Sequence, residues 1–196
     1  MPLENIFTIS TDEEFNAMAL KTFQVQYHEN LVYQEFCRHL GKNMSTVKTL
    51  VDIPFLPIEF FKSKKVICGS FTPQITFTSS GTTGSEVSKH HVKNLELYEN
   101  SYLTAFRHFY GDIDDYCVLA LLPSYLEREG SSLIYMANDL IHKSKHPDSG
   151  FYLDDLDRLQ KTLLELDARN TKILLLGVSF ALLDMVEKFP LKLKKL

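Results

Sequence analysis

Between Thr76 and Ser85 the chain places seven Ser or Thr residues and two glycines within the stretch TFTSSGTTGS. Glycine admits positive φ and lets a ligand come close to the main chain. Successive amide N–H groups in such a turn converge into an anion-binding concavity, and Ser and Thr hydroxyls add donors without bulk. The run Ser79-Ser80-Gly81-Thr82-Thr83-Gly84-Ser85 is therefore chemically suited to holding phosphate oxygens. A polar hairpin turn has the same composition, and composition by itself favours that plainer reading. A Walker A loop is excluded, because it needs GxxxxGK[ST] opening into a helix, whereas Gly84 is followed by Ser85 and Glu86. The dinucleotide motif GxGxxG is absent as well.

Other residues with chemical potential have weaker cases. His90 and His91 are adjacent, and neighbours in a strand point to opposite faces. They are expected to be inert, although one facing the loop could donate to a phosphate. Glu127-Arg128-Glu129 and the lysines Lys62, Lys64 and Lys65 read first as solvated turns, with contact to an anion as the alternative. Cys37, Cys68 and Cys117 are odd in number and form no CxxC pair, which predicts reduced thiols of a cytoplasmic protein and neither disulfide nor zinc site. Cys117 lies in an apolar run and is expected to be core.

Elements positioned by hydrophobic pattern surround these residues. Ser10 and Glu13 have the spacing of a capping box, followed by Phe15, Met18, Ala19, Phe23 and Tyr27 at helical spacing. A second helix is predicted from Asn30, with Val32, Phe36 and Leu40 inward and Gly41 closing it. Pro54 and Pro57 break any helix through Ile53–Ile58. Ile75 and Phe77 predict a strand before the Ser/Thr/Gly loop, with Ser88 to Lys93 returning. A helix capped by Asn94 follows, with Leu95, Tyr98, Tyr102, Ala105, Phe106 and Phe109 as its apolar face and Gly111 as its end. YCVLALL, Tyr116 to Leu122, is a continuous apolar run, as expected of a strand buried on both faces, and KILLL, Lys172 to Leu176, is predicted as a second buried strand. Helices are predicted over Ser131–Lys143 through Leu133, Ala137, Leu140 and Ile141, over a second stretch through Leu156, Leu159, Leu163 and Leu166, and over Phe180–Lys188. Alternation of strand and helix predicts an α/β fold, a mainly parallel sheet flanked by helices. Residues 1–50 are expected to be a helical N-terminal appendage and 51–196 a partial α/β nucleotide- and acyl-binding domain.

The chain has 196 residues, 44% of them hydrophobic and 23% charged, with a net charge of −4. Those values fit an ordinary globular domain and argue against a nucleic-acid footprint, which needs a basic face. No apolar run reaches the roughly 20 residues of a membrane helix, and MPLENIFTIS has no signal-peptide pattern.

S-G-T-T-G after a strand resembles the phosphate loop of the adenylate-forming superfamily, which includes acyl-CoA synthetases, peptide-synthetase adenylation domains and firefly-type luciferases. Ser79, Ser80, Gly81, Thr82, Thr83 and Gly84 match it position by position, while Val87 stands where the family has a lysine. Leu121-Leu122-Pro123-Ser124-Tyr125 with Gly130-Ser131 resembles the family's strand end along the acyl pocket. Leu176-Gly177-Val178-Ser179-Phe180 resembles its strand–GVP–helix segment, Ser179 replacing the proline. Over about Phe55 to Pro190 the chain is most similar to the acyl-protein synthetase branch, the long-chain-fatty-acid–luciferin-component ligases. The resemblance implies ATP-dependent activation of a carboxylic acid, expected to be a fatty acid, to an acyl-adenylate. Acyl transfer to a protein thiol follows. It implies ATP and Mg²⁺ as cofactors, an acyl-reductase protein as partner, and residues 79–84 as the phosphate grip. Tyr125 and Ser179 would border the acyl or nucleotide pocket, with ordinary packing at strand ends weighing equally. No catalytic residue is assigned, and none of the three cysteines is expected to carry the acyl group. The family's later motifs do not follow Pro190, so the resemblance implies an incomplete ligase that does not complete adenylation alone. An aryl-acid–CoA ligase relative and a non-catalytic module retaining the fold are the alternatives.

Overall fold

The computed structural model describes residues 3–79, 86–123, 130–153 and 155–193. They form an α/β protein with seven α-helices, an antiparallel strand pair and a three-stranded parallel sheet. The chain divides into two compact units, Met1–Tyr98 and Glu99–Leu196.

In the first unit, α1 spans Asp12–Glu29 and α2 spans Leu31–His39. The capping box of α1 is one residue later than its sequence predicts. The Thr11 hydroxyl accepts the Glu14 amide at 3.2 Å, and the Glu14 carboxylate accepts the amides of Ser10 and Thr11 at 2.8 and 3.2 Å. The sequence STDEE holds two overlapping registers; the later one is formed, in a helix that buries Phe23 and Tyr27 and leaves Phe15 52% exposed. Asn30 caps α2 by accepting the Tyr33 amide, and Gly41, at φ 65°, closes it. The buried face of α2 is Tyr33 and Cys37, whereas Leu40 is exposed. The Tyr33 hydroxyl donates to the Pro54 carbonyl at 2.7 Å, which holds the helix in that rotation. Phe23, Tyr27, Tyr33, Cys37 and Val47 form the core, with Ile53 and Leu56 packed against it. The short α3, Phe60–Ser63, precedes the hairpin of β1, Ile75–Thr78, and β2, Lys89–Val92.

α4 spans Glu96–Tyr110. Phe106 is buried, but Phe109 is exposed, contrary to the predicted face. The Phe106 ring meets Tyr116 edge-on at 5.4 Å, while Phe109 points away and touches His108 and Tyr110.

The second unit is built on β3, Tyr116–Leu121, flanked in parallel by β4, Gly150–Phe151, and β5, Lys172–Gly177. Residues 117–121 of β3 are fully buried, as its uninterrupted apolar run demands when both faces are covered. Cys117, Leu119 and Leu121 face Leu159, Leu163 and Leu166 of α6 (Leu156–Ala168) and Ala181 and Met185 of α7 (Ser179–Lys188). Ala120 and Leu122 face Ala137 of α5 (Ser132–Ser144) on the other side. On α5, Ala137 and Leu140 are buried as predicted, whereas Ile134 is buried in place of Leu133, which is 41% exposed.

Candidate functional site

The β1–β2 hairpin carries the Ser/Thr/Gly loop. Its register pairs Ile75 with Val92, Thr76 with His91, Phe77 with His90 and Thr78 with Lys89. Phe77 is buried and packs edge-on against Tyr98 at 5.3 Å, which anchors the hairpin. One step beyond the ladder, the Ser79 amide donates to the Ser88 carbonyl at 3.1 Å, and the Ser88 amide donates to the Ser79 hydroxyl at 3.0 Å. This pair forms the neck of the loop. Ser79 thus has a fixed place, and its hydroxyl, accepting from Ser88, keeps a proton to donate. Ser80, Gly81, Thr82, Thr83 and Gly84 lie outside the described residues.

The two histidines separate as strand geometry requires. His91 Nδ1 lies 2.9 Å from the Thr76 hydroxyl. His90 stacks on the Phe61 ring at 6.0 Å between centroids. Burial first, and then the neighbouring His91, lower the pKa of His90, which favours a neutral ring there at neutral pH. Among the described residues no three His, Cys, Asp or Glu side chains come together to hold a metal ion.

In the second unit the carboxyl ends of β3 and β5 lie side by side, Leu121 opposite Gly177. The helix after β3 packs on one face of the sheet and the helix after β5 on the other. Their departure in opposite directions makes this the topological switch point, where α/β sheets form ligand crevices. Ser179 is exposed at the first turn of α7, directly at this edge. Tyr125 belongs to the segment after Pro123 and lies outside the described residues. Gly130, at φ 80°, and Ser131, whose hydroxyl caps α5, resume the chain.

Gly177, which the sequence places in the strand–helix segment, has a packing role at this edge that the sequence does not reveal. A Cβ there would lie 2.8 Å from Leu182 Cγ and 3.2 Å from Leu121 Cβ, so glycine alone lets the strand ends close and α7 start where it does. Ser88, closing the loop neck, was likewise missed; its only trace in the sequence is a small polar residue at the far end of the loop.

The cysteines are free thiols. Cys37 and Cys117 are buried, and Cys68 is half-buried, with its sulfur 3.1 Å from Gln26 Oε1. Burial pushes all three thiols up, Cys117 to about 11, so they are poor nucleophiles at neutral pH. A depression near the end of α4 gathers Asp112, Asp114 and Asp115 beside Arg107. It adjoins the entry to β3, away from the carboxyl edge, and its acidic lining repels phosphate.

A parallel sheet covered by helices on both faces, with its strand ends at a topological switch point, defines the second unit as an α/β fold. No family model matches the chain, and no solved structure matches it. Over 63 residues, 32% of its length, the chain is 40% identical to the long-chain-fatty-acid–luciferin-component ligase of Vibrio harveyi. That stretch covers 16% of the ligase.

Proposed function

We propose that this chain is the nucleotide-gripping part of an acyl-activating ligase of the adenylate-forming class. A fatty-acid carboxylate attacks the α-phosphorus of ATP, the bond from that phosphorus to the bridging oxygen breaks, and pyrophosphate leaves. A protein thiolate then takes the acyl group and AMP departs. The similarity to the Vibrio harveyi ligase carries this reading. The hairpin neck supports it: a fixed Ser79 hydroxyl at the mouth of a loop rich in glycine and hydroxyls suits phosphate oxygens. The loop's donors are neutral, so Mg²⁺ bound to the triphosphate would supply positive charge, and the loop donors from Ser80 to Gly84 would stabilise charge on the departing pyrophosphate. Ser179 and Tyr125 border the acyl or nucleotide pocket in this reading.

Calorimetric titration of the purified chain with pyrophosphate and with MgATP tests it. Wild-type protein binds both, and Thr82→Val weakens binding by about tenfold, as removal of a hydrogen bond to a charged group does. Equal affinities for the two proteins, or no heat with wild type, remove the loop from this role.

A further inference from the structure

We propose that the outward side of the segment from Val51 to Lys65, in the first unit, docks onto an anionic lipid membrane surface. The segment has two sides. Ile53 and Leu56 pack inward against the aromatic core. The Pro54 carbonyl is held by the Tyr33 hydroxyl, the Phe60 ring meets Phe36 edge-on at 5.8 Å, and Phe61 stacks on His90. With those anchors made, Val51, Phe55 and Ile58 are left 93%, 84% and 73% exposed. Two prolines restrict the backbone between them. The three apolar side chains are therefore presented on a braced segment, so little conformational entropy is lost when they enter another phase.

Charge chooses the occupant. Lys62, Lys64 and Lys65 follow at once and are exposed. The stretch from Ile53 to Lys65 holds one acid, Glu59. Asp52 is already engaged by Thr49, Lys48 and Lys42. Apolar side chains beside a cluster of lysines are the two signals that together hold a protein at an anionic bilayer, the first entering the acyl boundary and the second lying at the headgroups. Among the described residues no helix is long and apolar enough to cross a membrane, so the contact is peripheral. The inference is independent of the ligase reading.

Flotation of the purified chain with vesicles tests it. Protein floats with phosphatidylglycerol–phosphatidylcholine vesicles, less so as salt rises, and stays behind with phosphatidylcholine alone. Phe55→Asp with Ile58→Asp, and separately Lys62→Glu with Lys64→Glu and Lys65→Glu, each reduce binding by about tenfold or more. Both variants keep the wild-type circular dichroism spectrum, since every altered side chain is exposed. The proposal is overturned if wild type ignores anionic vesicles, if it binds neutral ones equally, or if the variants bind like wild type. It is overturned too if gel filtration shows that the patch pairs two copies of the chain and vesicles do not compete.

Discussion

The Ser79 hydroxyl accepts the Ser88 amide at 3.0 Å while the Ser79 amide donates to the Ser88 carbonyl at 3.1 Å. The loop between them therefore starts and ends at one fixed point. Ser79→Ala removes the side-chain bond and keeps the main-chain one. Loss of a single exposed hydrogen bond costs at most about 1 kcal/mol, so the fold survives. Exchange of the Ser88 amide with solvent quickens by up to about fivefold, and pyrophosphate affinity falls by a similar factor. Unchanged exchange at Ser88 would show that the neck is held by the main chain alone.

Gly177 leaves no room for a side chain at the switch-point edge. Gly177→Ala forces a methyl group to within 2.8 Å of Leu182 Cγ, an overpacking that destabilises by about 1–3 kcal/mol. Leu182→Ala in the same chain clears the space, so the double variant is more stable than the sum of the single changes implies. Urea unfolding of the four proteins measures the coupling, and strict additivity refutes the close approach.

Asp52 supplies a pH signature. Its carboxylate accepts the Thr49 hydroxyl at 2.8 Å and the amides of Lys48 and Thr49. These bonds, led by the hydroxyl, lower its pKa from 3.8 to about 2. A folded pKa below the unfolded one means the contribution to stability is present above about pH 4 and is lost as pH falls towards 2. Carboxyl carbon chemical shifts followed by NMR give a midpoint near 2 in wild type and a higher one in Thr49→Val. Identical midpoints would detach the Thr49 hydroxyl from the shift.

How far the sequence could be read depended on how many residues shared the signal. YCVLALL became β3, buried on both faces, because an uninterrupted apolar run has few other homes; KILLL became β5, but as an outer strand of the sheet it buries only Ile173 and leaves Lys172 exposed. Leu159, Leu163 and Leu166 became the inward stripe of α6 because three residues agree on one rotation. β4 was invisible: Gly150–Phe151 is too short for any periodicity and is held by neighbours, the Ser149 hydroxyl accepting the Val118 amide and the Tyr152 amide donating to Ala120. Rotation errors on α2 and α4 have one origin, since each helix offers more apolar residues than its buried face takes, and tertiary contacts such as Tyr33 to Pro54 choose among them. The hydroxyl-rich run Ser79–Ser85 is plain from composition, but residues 80–85 lie outside the described residues. The switch point was not plain, because it depends on which face each helix takes, and that is set by contacts distant in sequence.

Leu163 and Leu164 test that distinction with two adjacent residues of identical chemistry. Both lie within α6, so helix propensity lost on substitution is the same. Leu163 is 1% exposed and belongs to the cluster around Leu119 and Cys117, whereas Leu164 is 46% exposed. Leu163→Ala therefore leaves a cavity under β3 and costs about 2–5 kcal/mol. Leu164→Ala removes surface that is already half wet, and changes stability by about 0.5 kcal/mol or less. Denaturant midpoints for the two variants separate the contributions, and equal losses would mean that α6 is turned differently on the sheet.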